Sequence, residues 1–105
     1  MPLKRLHGPA LVSLASATKY TCPAATRAII RHIHVSNTTA GIVTFTLSIG
    51  ADAAAVRLFD GYSIAAGAIL DHFGLYVLAA AEIIAANAGT TNILTLTIDG
   101  EEELV

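Results

Sequence analysis

Histidine is the first place to look for chemistry, because it is the side chain whose unperturbed pKa lies near neutrality. The chain carries four: His7, His32, His34 and His72. His32 and His34 are two positions apart, so on an extended strand both imidazoles project from one face. If the fold brings Asp71 or His72 alongside, the donors suit zinc or a similar transition metal. No third ligand stands at a diagnostic spacing, and two imidazoles equally suit a polar sheet face or a subunit contact. No metal or other cofactor is therefore expected. Should one bind, His32, His34 and His72 are the residues to hold it.

Other reactive groups point away from catalysis. Cys22 is the single cysteine, which excludes an intrachain disulfide. It precedes Pro23 among apolar residues and reads as a buried structural thiol, not a nucleophile. There is no Gly-x-Ser-x-Gly and no glycine-rich phosphate loop. Asp52, Asp60, Asp71 and Asp99 fall at or near predicted strand ends, and Asp60-Gly61 reads as a tight turn. Nothing local pairs two carboxyls across a cleft, as glycoside hydrolysis requires. Tryptophan is absent, and the three Tyr and three Phe are dispersed, leaving no stacking platform for a sugar or a base. No catalytic residue is expected, and the chain is not read as an enzyme.

The elements that must position these residues are strands, because the clearest periodicity is two. Val43, Phe45, Leu47 and Ile49 alternate with Thr44, Thr46 and Ser48; over residues 92–99, Leu94, Leu96 and Ile98 alternate with Thr95, Thr97 and Asp99. Residues 27–37 form a third run, with Ile29, Ile33 and Val35 on one face and Ile30, His32, His34 and Ser36 on the other. Weaker runs cover 10–15, 18–22, 54–59 and 69–77. The ten large apolar residues of the stronger runs, from Ile29 to Ile98, are the expected core. Turn signals such as Gly50-Ala51-Asp52, Ala66-Gly67 and Asn87-Ala88-Gly89 separate the runs. About seven or eight short strands at this spacing predict an all-β, antiparallel β-sandwich or jelly-roll-like barrel. The Ala-rich stretch 75–88 is read as extended, with at most a short helical turn between Leu78 and Ala88.

Composition narrows the partners. The 105 residues suit one domain, and a net charge of -2 argues against a nucleic-acid footprint. Charged residues make up 13% of the chain, about half the usual share. No apolar run approaches the roughly 18 residues of a membrane helix. Lys4 and Arg5 lead into a mixed segment, so no signal peptide is expected. So few charges on so small a domain leave apolar surface exposed, which favours self-association.

A resemblance adds context. Tyr20-Thr21-Cys22-Pro23-Ala24-Ala25-Thr26, an Ile-rich strand, and Asn37-Thr38-Thr39 together resemble small β-sandwich proteins of tailed-bacteriophage structural modules, which read Y-T-V-P-A-G-T and then N-x-T. Residues 64–70 and 78–84 echo the apolar-x-A-G turn phrase, and the resemblance covers about residues 20–100. The chain departs from that pattern at Cys22, where Val is usual, and at Ala25 and Ala80 or Ala81, where Gly is usual. Alanine does not readily take positive φ. The resemblance implies a non-enzymatic virion structural protein, most nearly a capsid decoration or stabilising subunit. Its partners would be copies of itself (a trimer is one closed form) and the major capsid protein, with no nucleic acid and no membrane. A tail or baseplate accessory contacting a host receptor is the second reading, and a small metal-binding or enzymatic domain the third.

The domain expected over residues 10–100 is flanked by an extended N-terminal arm, 1–9, and an acidic tail, 101–105. Lys4 and Arg5 at one end face Glu101, Glu102 and Glu103 at the other, and Leu3, Leu6, Leu104 and Val105 are interleaved with them. Charge would select the register, and the leucines and valine would hold the contact. These nine residues are expected to dock on neighbouring subunits.

Overall fold

The computed structural model describes residues 3–89 and 94–105. Among them run eight strands: β1 (Lys4–Leu11), β2 (Ala17–Thr21), β3 (Thr26–Asn37), β4 (Val43–Ile49), β5 (Arg57–Ile64), β6 (Ile69–Leu78), β7 (Ile83–Ala88) and β8 (Leu94–Leu104). They form two four-stranded antiparallel sheets, β1-β8-β3-β6 (sheet I) and β2-β7-β4-β5 (sheet II). The pairs β1·β8, β2·β7, β3·β6 and β4·β5 are those of one long hairpin whose tip is the β4–β5 turn. Rolling that hairpin over adds β3·β8 and β4·β7. This is a jelly-roll sandwich.

Alternation puts one face of every sheet inside. Val43, Phe45, Leu47, Ile33, Val35, Leu94, Leu96 and Ile98 are buried, as expected. Ile29 and Ile49 are only half-buried. The reason on β3 is a bulge. Ile30 pairs with Gly100 and His32 with Asp99, so Arg31 is an extra residue without a partner. The bulge shifts the inside–outside phase by one, and Ile30 joins Ile33 in the core while Ile29 turns outward. Beside the bulge, β3 and β8 approach so closely that a Cβ on Gly100 would lie 2.1 Å from the Ile29 carbonyl oxygen.

Residues 78–88 finish β6, turn, and form β7. Ile84, Ala86 and Ala88 lie in the core, and ladders to β2 and β4 on both sides override the helical preference of alanine. The helical turn is found elsewhere, as a 3-10 turn at Ala54–Val56. Ala25 (φ 53°) and Ala81 (φ 70°) both sit in the left-handed region that alanine does not readily take.

The two ends of the chain are strands, not the expected arm and tail. Lys4–Leu11 is not an arm but β1, paired with β8 through Lys4↔Gly100, Arg5↔Asp99 and Ala10↔Leu96. Glu101, Glu102, Glu103 and Leu104 are not a free tail but the end of β8, opposite Ile29, Ala28, Arg27 and Thr26. The boundaries at residues 9 and 101 therefore disappear. The roll closes only when its first and last strands meet, and that requirement recruits both charged ends. Met1, Pro2 and the stretch 90–93, including the start of the predicted 92–99 strand, lie outside the described residues.

Candidate functional site

Beyond the bulge, β3 presents His32, His34 and Ser36 on the outer face of sheet I. Register then decides their neighbours. Arg5, Asp99, His32 and Phe73 stand in one row across all four strands, and Thr97, His34 and Asp71 in the next. Asp71 Oδ1 takes both imidazoles, with His32 Nε2 at 2.8 Å and His34 Nδ1 at 2.5 Å. The other ring nitrogen of His32 lies 3.6 Å from Asp99 Oδ2, and Arg5 Nε lies 3.7 Å from Asp99 Oδ1. Phe73 stacks on His32 with centroids 4.3 Å apart and planes within 5°. The hydrogen bond from His34, and then that from His32, holds the Asp71 carboxyl below its usual pKa. A shallow groove of about 470 Å³ runs alongside, lined by Leu3, Lys4, Arg5, Arg31, His32, Phe73 and Asp99.

The structure therefore brings His32, His34 and Asp71 together, and their ligand atoms all lie within 4.8 Å of one another. His72 is elsewhere. Its neighbours in sequence, Asp71 and Phe73, face outward, so alternation turns it inward. There its Nε2 lies 2.7 Å from the Tyr76 hydroxyl and its ring meets Phe59 edge-on. Asp99 and Phe73 were missed as partners of His32. Asp99 reads as a strand end and Phe73 as dispersed, and only cross-strand register joins them to it.

The charged ends are placed within the same chain. Lys4 Nζ donates to Glu102 Oε1 at 2.7 Å, and the Tyr20 hydroxyl donates to the other oxygen of that carboxylate. Lys4, and then Tyr20, holds the Glu102 carboxyl below its usual pKa. Burial, reinforced by Glu102, pushes the Tyr20 hydroxyl well above its own. Arg31 Nε donates to Glu101 at 2.8 Å, and Arg27 pairs with Glu103. Leu6 packs against the core, while Leu3, Leu104 and Val105 remain exposed. The Val105 amide donates to the Ala25 carbonyl, so the chain end is tied to the β2–β3 turn. Cys22 is buried, its thiol 3.3 Å from the Thr26 carbonyl oxygen, and burial raises its pKa.

Sheet I has a second outward feature at its free edge. Ile69, Phe73, Leu75 and Val77 of β6 are 59%, 73%, 58% and 53% exposed. They form an apolar strip beside the His–Asp cluster. Fold and site together define a jelly-roll sandwich whose first sheet carries the ionisable cluster and an uncovered apolar edge. Comparison of the chain with protein-family models and with curated proteins finds no match.

Proposed function

We propose that the chain is a non-enzymatic structural subunit of a tailed-bacteriophage virion, which decorates or stabilises the capsid by packing against copies of itself and against the major capsid protein. The observation that carries this reading is the exposed strip Ile69, Phe73, Leu75 and Val77 on an edge strand. An apolar strand with an open edge is a liability unless something covers it, and β6 has neither lysine nor proline to protect it. A second copy of the chain is the occupant it suits.

Charge agrees. Lys4, Arg5, Arg27, Arg31 and Arg57 are all engaged in ion pairs within the chain, leaving little free cationic surface for a polyanion. The resemblance of residues 20–39 to bacteriophage sandwich proteins supports the virion context. So does the architecture, which viral capsid proteins share with lectins and cupins, though fold alone does not assign function.

Light-scattering mass measurement tests the contact. The purified chain should form one defined oligomer, and Leu75→Glu should reduce it to a folded monomer. A wild-type chain that stays monomeric at high concentration overturns the self-association. Copy number in purified particles tests the location: a count that follows the capsid lattice supports decoration, and a few copies per particle transfers the chain to the tail.

A further inference from the structure

We propose that His32, His34 and Asp71 form a binding site for a zinc-like divalent transition metal on the outer face of sheet I, independent of the structural-subunit reading. The donors already converge. Both imidazole nitrogens are directed at one oxygen, Asp71 Oδ1, at 2.8 and 2.5 Å. Zinc bound tetrahedrally at about 2.0–2.1 Å sets neighbouring ligand atoms about 3.3 Å apart. The exposed Asp71 oxygen must withdraw from the two nitrogens by about 0.5–0.8 Å to reach that spacing, and the three ligand atoms already lie within 4.8 Å of one another. All three residues sit on the adjacent antiparallel strands β3 and β6, which hold the donors side by side.

The donor set selects the metal. Two imidazoles and one carboxylate suit zinc, copper(II) or nickel(II), whereas magnesium and calcium prefer oxygen alone. The surroundings fit a ligand site as well. Asp99 Oδ2 stands 3.6 Å from the second nitrogen of His32, and a small side-chain rotation would bring it within hydrogen-bond reach, where a carboxylate orients a ligating imidazole and raises its basicity. Phe73, stacked on the same ring, restrains its rotation. Three protein ligands leave one position of a tetrahedron open towards solvent, next to the β6 strip. That position is available to water or to a donor on an adjoining chain.

Calorimetric titration of the chelator-treated full chain with zinc chloride tests the site. One zinc per chain should bind with micromolar affinity or better, and magnesium chloride should not compete. His34→Gln and Asp71→Asn should each weaken binding by about tenfold or more, and Asp99→Asn by about tenfold. His72→Gln, on the inner side, should bind as the wild type does. Circular dichroism would confirm that each variant retains its strands. In the intact protein, zinc should move the imidazole nitrogen resonances of His32 and His34 and leave those of His72 in place. The absence of saturable binding overturns the site, as does binding that survives His34→Gln or an equal loss in His72→Gln.

Discussion

The outer faces of the two sheets differ in kind. Across sheet I run the rows Arg5–Asp99–His32–Phe73 and Thr97–His34–Asp71, with the pairs Arg31–Glu101 and Arg27–Glu103 beyond them. Across sheet II the corresponding rows are Thr18–Ala85–Ser48–Arg57 and Thr46–Asn87, small and uncharged except at the edge strand, where Arg57 pairs with Asp52 and Asp60. Both sheets bury the same kind of aliphatic inner face, so the contrast does not come from the core. It comes from the roll. Sheet I receives the first and last strands, and with them the basic and acidic ends of the chain. Ion pairing there can select the register of the closing strands, while the Thr- and Ser-bearing face of sheet II gives its β-branched residues a favourable strand setting.

The largest expected effect tests whether one core serves both faces. Phe45 is fully buried beneath sheet II, and Phe45→Ala should cost about 3–5 kcal/mol in urea unfolding. The loss should appear equally in probes of either sheet. A cost below about 1 kcal/mol would mean that the inner and outer faces are exchanged.

Acid should affect sheet I more than sheet II. Asp71 and Glu102 have lower pKa values folded than unfolded, because His34 and His32 hold the one, and Lys4 and Tyr20 the other. Their contribution is complete above the unfolded carboxyl value of about 4 and is lost as pH falls below it through the folded values. Melting temperature should therefore drop in that window, and Asp71→Asn should drop less steeply than the wild type. Asp52, lowered by Arg57, adds the same trend on the side of sheet II. Amide exchange at low pH separates the two: β1, β8 and β6 should lose protection before β4 and β7. Simultaneous loss would remove the distinction between the faces.

The smallest effect concerns the turns that carry the chain from one sheet to the other. Ala25 and Ala81 hold positive φ without the freedom of glycine. Ala25→Gly and Ala81→Gly should each stabilise by about 0.5–1 kcal/mol, the relief of left-handed strain exceeding the added chain entropy. Destabilisation by either, measured by denaturant midpoint, would show that the methyl group contributes packing that outweighs the strain.

Much of this was legible in the residues. Period-two alternation is a local property, and it placed Val43, Phe45, Leu47, Leu94, Leu96 and Ile98 inside and the two histidines of β3 on one face. The opposite charges of the two ends were legible as well, but not whom they would meet. Intrachain and interchain pairing look identical along a sequence, and closure of the roll chose the former.

Side-chain spacing within single strands was enough for the all-β class, most of the buried face and the His32–His34 pair. Tertiary structure alone decided that the third donor is Asp71 and not its neighbour His72, that Asp99 and Phe73 flank His32, and that Ile30 replaces Ile29 in the core. Each of those depends on register between strands far apart in the chain. A single bulged residue, Arg31, shifts that register by one and reverses which face every preceding side chain of β3 occupies.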